Sequence, residues 1–470
     1  MLNAENSSVK KNFIYNTLYQ FLNIILPLIT TPYIARKLGA EKIGYFSYSY
    51  SIAYYFVMAI MLGLNNYGNR TIARIRENKE ELSKTFCEIY MMQLSISVFI
   101  VMIYILYGIF FSNTLMTWIL LIYILSAVVD INWFYFGIEK FKLTVIRNSL
   151  IKIFTTLMIF LFVKTDADVY KYALITVFGI FCSNIILFKF LKKYVYIVKV
   201  DFKGIKKHIK PNLLLFIPIV AISLYKMMDK IMLGALSNMK EVGFYENSEK
   251  VTQVPMAIIN SLGTVMLPKM SNLVAKKELD KTKIYIEKSI IFAMFLASSV
   301  CFGVIGISKE FVPWYYGDGY EKCIILFEIL MPSCIFLALA NVIRTQYLIP
   351  YNKDKIYISS IVLGAIINLI INFILIPKLA ATGAAIGTLF AEIIVCLSQI
   401  YLVRKKIEDL RRYLLKSFPF IFFGIIMMFS LLKIHLNFIN VFVSMTLKIV
   451  IGAIIYMAFS ITYWILLKKR

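Results

Sequence analysis

The sequence predicts an all-α integral membrane protein with 14 transmembrane helices, arranged as two pseudo-symmetric six-helix lobes plus two C-terminal helices. The first observation behind this prediction is the composition. Of the 470 residues, 60% are hydrophobic and 16% are charged, and the mean hydropathy is +0.76. A soluble domain is about half apolar and about a quarter charged. The composition therefore excludes a soluble enzyme, a secreted disulfide-rich domain and a disordered chain.

The second observation is the length of the apolar runs. A membrane-spanning helix needs about 20 apolar residues. The strands of a membrane β-barrel alternate apolar and polar residues instead, so uninterrupted runs favour helices. Turn residues and charges divide the runs into helices near residues 13–34, 43–64, 87–110, 115–136, 146–163, 172–190, 212–234, 251–268, 286–307, 323–343, 357–377, 383–403, 415–434 and 441–467.

The third observation is the distribution of the basic residues, which give the chain a net charge of +25. An even number of spans places both termini on one side, and the connections on that side carry most of the 51 lysines and arginines. Basic connections of membrane proteins are the cytoplasmic ones, so both termini are predicted to be cytoplasmic. The charge is then an orientation signal with affinity for anionic lipids, and no nucleic-acid partner is expected.

A weak internal repeat divides the helices into lobes. The letters LGA at 38–40, followed by IGYF at 43–46, return as LGA at 233–235, followed by VGFY at 242–245. Repeats with an even number of helices are parallel, and transporters built from repeats bind substrate at the repeat interface. The predicted domains are residues 1–200 with helices 1–6, residues 201–403 with helices 7–12, and residues 404–470 with helices 13–14.

Residue types that carry catalysis or hold metals are scarce. The six cysteines are scattered without a C-x-x-C pair, and there are only two histidines. This pattern predicts no disulfide framework and no metal site. The chain also lacks the G-x-x-x-x-G-K-[ST] loop that binds ATP phosphates. We therefore predict no cofactor, no catalytic residue and no enzymatic activity.

Polar side chains recur at helical spacing inside several apolar runs. Helix 1 carries Asn16, Gln20 and Asn23, and helix 11 carries Asn368 and Asn372. Residues three or four apart share a helix face, and an unpaired polar group in lipid costs several kcal/mol. These faces are therefore expected to meet protein or a wet cavity. Hydrogen bonds that only join helices are the alternative, at about 0.6 kcal/mol each.

Ionisable residues inside membrane spans are costly and mark candidate functional positions. Arg36 and Arg147 lie at helix ends, where anchoring to lipid phosphates is an alternative role. The candidates within the predicted spans are Asp130, Lys152, Lys226, Asp229, Lys230 and Glu392.

Four segments carry a resemblance to a known family. They are PYIARKLG at 32–39 with IGYF at 43–46, NWFYFGIE at 132–139 with Arg147 and Lys152 after it, the stretch from Asp229 to VGFY at 242–245, and the helix 11–12 region with Asn368, Asn372 and Glu392. Together they resemble bacterial polysaccharide repeat-unit flippases, the O-antigen and capsule translocases of the multidrug/oligosaccharidyl-lipid/polysaccharide (MOP) exporter superfamily. Lipid II flippases and MATE transporters are related to these proteins.

The resemblance implies a flippase that moves undecaprenyl-diphosphate-linked oligosaccharide repeat units from the inner to the outer leaflet of the bacterial cytoplasmic membrane by alternating access. An ion gradient or the membrane potential would supply the energy. The implied partners are the lipid-linked substrate and membrane lipids, and the resemblance also allows a coupling cation and other membrane proteins of polysaccharide assembly.

Roles for the candidate residues follow from the chemistry of that substrate. Cations form strong charge-assisted hydrogen bonds with phosphate. The expected diphosphate contacts are Arg36, Arg147, Lys152, Lys226 and Lys230. The expected glycan contacts are Asn16, Gln20, Asn23, Asn368 and Asn372. The groups expected to pair with the bases or to carry a coupling cation are Asp130, Asp229 and Glu392.

Three other functions stay open. A MATE-like drug or cation antiporter would have acidic cavity groups without the basic set, because lysine and arginine repel organic cations. A lipid II flippase shares the lobe plan and the head-group chemistry. A membrane glycan polymerase or acyltransferase needs a catalytic constellation, usually on a sizeable outer loop, whereas the predicted outer connections are short.

Overall fold

The computed structural model describes the backbone of residues 2–434 and 440–469, and the side chains of residues 22–224, 227–257, 259–263, 265–434 and 440–466. This part of the chain is helical throughout, with short connections. It divides into two compact units, Met1–Ser223 and Leu224–Arg470, which we call unit 1 and unit 2.

Unit 1 contains seven complete helices and the beginning of an eighth. A single 3₁₀ turn, Asp166–Asp168, precedes the seventh. The helices are α1 (Leu2–Met61), α2 (Leu64–Ile75), α3 (Lys79–Phe110), α4 (Leu115–Val128), α5 (Asn132–Gly137), α6 (Phe141–Phe162), α7 (Val169–Leu191) and α8 (Phe202–Leu236), which begins in unit 1 and ends in unit 2.

Helix α1 contains two of the predicted spans. A continuous helix of 60 residues would be roughly 90 Å long, about three times the thickness of the hydrocarbon core. The helix is broken at Gly39, which has φ 72° and ψ 166°. Glycine has no Cβ and adopts this conformation at low cost. The break separates the first predicted span from the second.

The core of unit 1 is built around the aromatic segment that forms α5. Trp133, Phe134 and Tyr135 are fully buried. The indole Nε1 of Trp133 donates to Oε1 of Gln93 on α3 at 3.1 Å, and its ring stacks on Phe86 with the centroids 5.6 Å apart. Around this segment α2 packs on α5, α4 packs on α1 and α7, and α6 packs on α1.

Unit 2 is dominated by long helix pairs. Helices α13 and α14 form the most extensive pair. Helix α10 packs on α12 and also on α16 and α17, the last two helices of the chain. One π-helical turn, Arg344–Leu348, continues α12. The helices are α9 (Met239–Ala275), α10 (Leu279–Tyr316), α11 (Lys322–Leu330), α12 (Ser333–Ile343), α13 (Asp354–Leu379), α14 (Ala381–Val403), α15 (Leu410–Ser417), α16 (Pro419–Lys433) and α17 (Val441–Lys469).

The predicted all-α membrane fold is confirmed. The described chain has 13 helical segments long and apolar enough to cross a membrane. The first of them, Leu22–Ile75, contains the end of the first predicted span, the Gly39 break and the whole of the second predicted span. Large apolar side chains such as Phe99, Phe110 and Leu150 are exposed, as expected for helices that face lipid. The domain boundaries at residues 200 and 403 stay a prediction.

Candidate functional site

The strongest polar site in unit 2 surrounds Asp229 on α8. Its side chain is fully buried. Tyr245 on α9 and Thr388 on α14 each donate from their hydroxyl to Oδ2 of Asp229 at 2.7 Å. Asn372 on α13 donates from Nδ2 to Oδ1 at 2.6 Å. Four helices therefore meet at one carboxylate, which satisfies the rule that a buried charge needs several hydrogen bonds.

Two amides complete this site and retain unused hydrogen-bonding groups. Asn368 and Asn372 are fully buried, and Nδ2 of Asn372 also donates to Oδ1 of Asn368 at 3.2 Å. Oδ1 of Asn372 and Nδ2 of Asn368 have no hydrogen-bond partner among the described residues. Gly387 on α14 leaves room for the Asn372 amide, because a Cβ at this glycine would lie 2.1 Å from Oδ1 of Asn372. Buried polar groups are rarely left unpaired, so these two atoms are available to a further partner.

Lys230, the neighbour of Asp229, lies in a separate ion-pair network. Its Nζ is 2.6 Å from Oε2 of Glu246 and 2.9 Å from Oε2 of Glu249 on α9. Lys250 pairs with the other oxygen of Glu246 at 3.0 Å. The Lys230 side chain is buried, so two carboxylates compensate the cost of removing its charge from water.

Among the candidates whose side chains the structure describes, the remaining one in unit 2 is Glu392. It is buried on α14, four residues after Thr388, so the two share one face of the helix. The side chains of Asn16, Gln20 and Lys226 lie outside the described residues.

In unit 1, Lys152 lies on α6 next to α1. Its Nζ donates to Oδ1 of Asn23 at 2.7 Å. The Lys152 side chain is half-buried, in a helix whose neighbouring residues Ile153 and Phe154 are exposed apolar groups. The bond joins a predicted phosphate contact to a predicted glycan contact. Arg36, in contrast, is exposed on α1 three residues before the Gly39 break.

Arg147 and Asp130 belong to a second network in unit 1. Nη2 of Arg147 donates to Oδ1 of Asn132 at 2.8 Å and to Oδ1 of Asn148 at 2.6 Å. Nδ2 of Asn132 in turn donates to Oδ1 of Asp130 at 2.7 Å and to Oδ1 of Asn184 at 3.1 Å. Asn132 therefore bridges the predicted cation and the predicted anion, and the network joins the start of α5 to α6 and α7.

A cluster in unit 1 was not among the predicted site residues. Nδ1 of His208 on α8 forms a 2.6 Å hydrogen bond with the Tyr67 hydroxyl, and its Nε2 lies 3.1 Å from Oε2 of Glu88 on α3. Lys207 also pairs with this oxygen at 2.7 Å. Glu88 and His208 are both buried. The sequence features that could have indicated this cluster are Glu88 inside the predicted helix 87–110 and His208 in the basic connection between the predicted helices 172–190 and 212–234.

The two units thus offer two kinds of chemistry. The Asp229 site supplies carboxylate, amide and hydroxyl oxygens, which are the ligands preferred by hard cations, and a carboxylate that can also take a proton. The sequence analysis did not include Tyr245 and Thr388 among the site residues, because hydroxyl side chains are common in membrane helices and do not mark a site. The Lys152 site supplies an ammonium group and an amide, which suit phosphate and hydroxyl groups.

Comparison with known proteins agrees with this architecture. Residues 9–274, more than half of the chain, match the family described as polysaccharide biosynthesis protein. A putative O-antigen transporter of Escherichia coli (strain K12) is 23% identical over 409 residues, which cover 86% of this chain and 98% of that protein.

Solved structures share the fold. The lipid II flippase MurJ in an inward closed conformation matches with a TM-score of 0.74 and 17% identity, covering 97% of this chain and 100% of that chain. An outward-facing MATE family multidrug resistance transporter of the MOP superfamily matches with a TM-score of 0.54 and 12% identity, covering 86% of this chain and 97% of that chain.

The fold places the chain in the structural class of multi-pass helical membrane proteins that these transporters share. Within that class, the chain belongs to the polysaccharide biosynthesis protein family. The resemblance found in the sequence is confirmed.

Proposed function

We propose that the protein moves undecaprenyl-diphosphate-linked oligosaccharide repeat units from the inner to the outer leaflet of the bacterial cytoplasmic membrane, by alternating access, for the assembly of a cell-surface polysaccharide. Both termini face the cytoplasm in this proposal. Unaided transfer would bring two phosphates and every glycan hydroxyl into hydrocarbon, where each unpaired polar group costs several kcal/mol. The protein must therefore replace water around the head group while the polyprenyl tail stays in lipid.

The observation that carries the proposal is the Lys152–Asn23 pair in unit 1. Its ammonium and amide groups are 2.7 Å apart on two membrane helices. A partly buried cation held by a neutral amide keeps its charge available for an anion, whereas Lys230 is neutralised by two glutamates. We therefore assign the first contact with the diphosphate to Lys152 and an adjacent glycan contact to Asn23. A full-length relative named as a putative O-antigen transporter supports the substrate class.

We further propose that the Asp229 site takes the coupling cation, either a proton or an alkali ion. On binding an alkali ion, Asp229 and Oδ1 of Asn368 would become ligands, and rotation of the Asn372 amide would turn its unpartnered Oδ1 toward the ion. Because Asn368 and Asn372 are fully buried beside the carboxylate, this role suits them better than contact with a large glycan. Other membrane proteins of polysaccharide assembly remain expected partners.

The test is to delete the gene in the organism that carries it and to locate the lipid-linked repeat units. We expect them to accumulate on the inner leaflet, measured as resistance of the glycan to a periplasmic glycosidase or labelling reagent that cannot cross the membrane. Complementation with the wild-type gene should restore outer-leaflet delivery. Normal delivery in the deletion strain, or a phenotype limited to drug sensitivity, would contradict the proposal and would favour the MATE-like antiporter.

A further inference from the structure

A groove opens on the surface of unit 1 between α6 and α7. Its volume is about 680 Å³, within the range of about 300–1,000 Å³ that is typical of ligand pockets. Leu150 and Ile146 on α6 line it and are 63% and 41% exposed, and Ile186 on α7 is 38% exposed. The protein therefore leaves an apolar wall uncovered, as expected for a surface that faces lipid.

Two lysines lie at one end of the same groove, and an arginine lies near its middle. Lys140 and Lys142 line it at the first turn of α6, and Arg147 lines it less than two turns further along. Glu139 is the acidic residue in the lining, and it forms a 2.5 Å ion pair with Arg76. The start of α6 has no side-chain cap, so the positive end of its dipole adds to the attraction for an anion.

The position of Arg147 is fixed by unit 1 itself. Hydrogen bonds from Nη2 to the amide oxygens of Asn132 and Asn148, 2.8 and 2.6 Å long, hold the guanidinium group. A cation held in one orientation loses less conformational entropy when it binds a phosphate than a mobile one does. The groove therefore combines a preorganised cation, two exposed lysines and apolar side chains.

The apolar residues of α6 that line the groove extend from Leu143 to Ile151, roughly 12 Å of helix at 1.5 Å per residue. Arg147 lies at the middle of this stretch. In the proposed orientation, the basic end lies at the cytoplasmic surface, where anionic lipids are concentrated and basic pockets between helices bind their head groups.

We propose that this groove is a binding site for an anionic glycerophospholipid of the surrounding bilayer. The lipid phosphate would lie against Lys140, Lys142 and Arg147, and an acyl chain would follow the wall through Ile146 and Leu150. The choice of a bilayer lipid over the polyprenyl diphosphate of the substrate rests on the open wall, whose apolar side chains Ile146, Leu150 and Ile186 are exposed. The site is distinct from the Lys152–Asn23 pair and does not depend on the transported glycan.

The test measures lipid binding to the purified full-length protein by native mass spectrometry. The wild type is compared with K140Q/K142Q and with K79Q/K84Q, a matched pair of exposed lysines in the same unit that do not line the groove. A third variant, Leu150→Trp, fills the apolar track without changing charge. Gel filtration verifies that each variant is folded, and phosphatidylglycerol and phosphatidylcholine are titrated in parallel.

We expect the wild type to bind phosphatidylglycerol more tightly than phosphatidylcholine. The affinity for phosphatidylglycerol should fall about 25-fold in K140Q/K142Q, at about fivefold for each lysine near the lipid surface. It should also fall in Leu150→Trp and change less than about threefold in K79Q/K84Q, since isolated surface charges contribute little.

Four results would overturn the proposal. The first is equal phosphatidylglycerol affinity in all proteins, and the second is equal affinity of the wild type for both lipids. The third is displacement of the lipid by inorganic phosphate at equal concentration. This result would mean that the groove binds an anion and that the acyl chain contributes nothing to the affinity. The fourth is tighter binding of undecaprenyl diphosphate with the same dependence on Lys140 and Lys142, which would assign the groove to the substrate.

Discussion

Asn372 donates a 2.6 Å hydrogen bond to the carboxylate of Asp229, although 143 positions separate the two residues in the chain. Both side chains are fully buried in a helical membrane protein. A carboxylate in such a place is expensive unless it is paired or functional. Among the described residues its three hydrogen-bond donors are neutral groups, so none of them cancels the charge of the ionised carboxylate, which can attract a cation. This relationship underlies the first two predictions.

Replacing Asp229 with Asn should abolish the stimulation of transport by the coupling cation. The amide keeps the size of the side chain, but it removes the charge and the second acceptor oxygen, and each lost charge-assisted bond is worth about 1.5–3 kcal/mol. We expect transport to fall at least tenfold. Transport in proteoliposomes, measured with a sodium gradient and separately with a pH gradient, distinguishes the two cations.

The matched control for that experiment is Asp318→Asn, which removes an exposed carboxylate from the connection after α10. It should transport at the wild-type rate under both gradients. If Asp229→Asn retained full stimulation by either gradient, the coupling role of this carboxylate would be wrong, even if the substrate assignment held.

Gly387→Ala should impair the same site by sterics instead of charge. The new Cβ would lie 2.1 Å from Oδ1 of Asn372, whereas a Cβ at Gly303 would meet only Cε of Met427 at 3.6 Å. The first contact forces the amide to move and the second is ordinary packing. We expect Gly387→Ala to lower cation affinity about tenfold or more, consistent with loss of about one hydrogen bond to a charged group.

The comparison variant is Gly303→Ala, which should leave cation affinity unchanged. Cation affinity can be read from cation-dependent thermal stabilisation of the purified proteins, since a ligand that binds the folded state raises its stability. Equal stabilisation of the two variants by the cation would rule out the proposed role of the Asn372 amide.

The sequence predicts the helices well because a membrane span is a local property. About 20 consecutive apolar residues are enough to identify a membrane span, and no information from distant residues is needed. Asp229 and Asn372 were each identifiable because a polar group in such a run is costly. Their pairing was not identifiable, because it depends on which faces of α8 and α13 meet. For the same reason the sequence did not reveal that Lys230 faces Glu246 and Glu249 on α9.

The Lys152–Asn23 pair predicts a charge requirement in unit 1. Lys152→Gln should reduce delivery of repeat units to the outer leaflet about tenfold, because a charge-assisted bond to phosphate contributes about 1.5–3 kcal/mol. Lys152→Arg should retain more activity, since it keeps the charge and donates to phosphate. The measurement is the fraction of surface-accessible glycan in the complemented deletion strain, normalised to membrane protein level.

Lys164→Gln is the control for Lys152, since Lys164 is an exposed lysine just after the end of the same helix. It should complement fully. Wild-type delivery by Lys152→Gln would remove the support for a head-group contact at this position. A loss shared equally by both variants would also contradict it, because a general charge effect would then explain the result.

The Glu88–His208–Tyr67 cluster should stabilise unit 1 by joining the start of α8 to α2 and α3. The Tyr67 hydroxyl and the Glu88 carboxylate occupy opposite ring nitrogens of His208, so Nε2 carries the proton when the ring is neutral. Glu88→Ala leaves the buried ring without its acceptor and should cost about 1–3 kcal/mol in the free energy of unfolding. Glu88→Gln keeps an acceptor oxygen and should cost less, because the Lys207 partner that it also loses is more than half exposed.

Thermal unfolding of the purified proteins should therefore give the highest midpoint for the wild type, a lower one for Glu88→Gln and the lowest for Glu88→Ala. Equal midpoints for the wild type and Glu88→Ala would show that the cluster does not stabilise the unit.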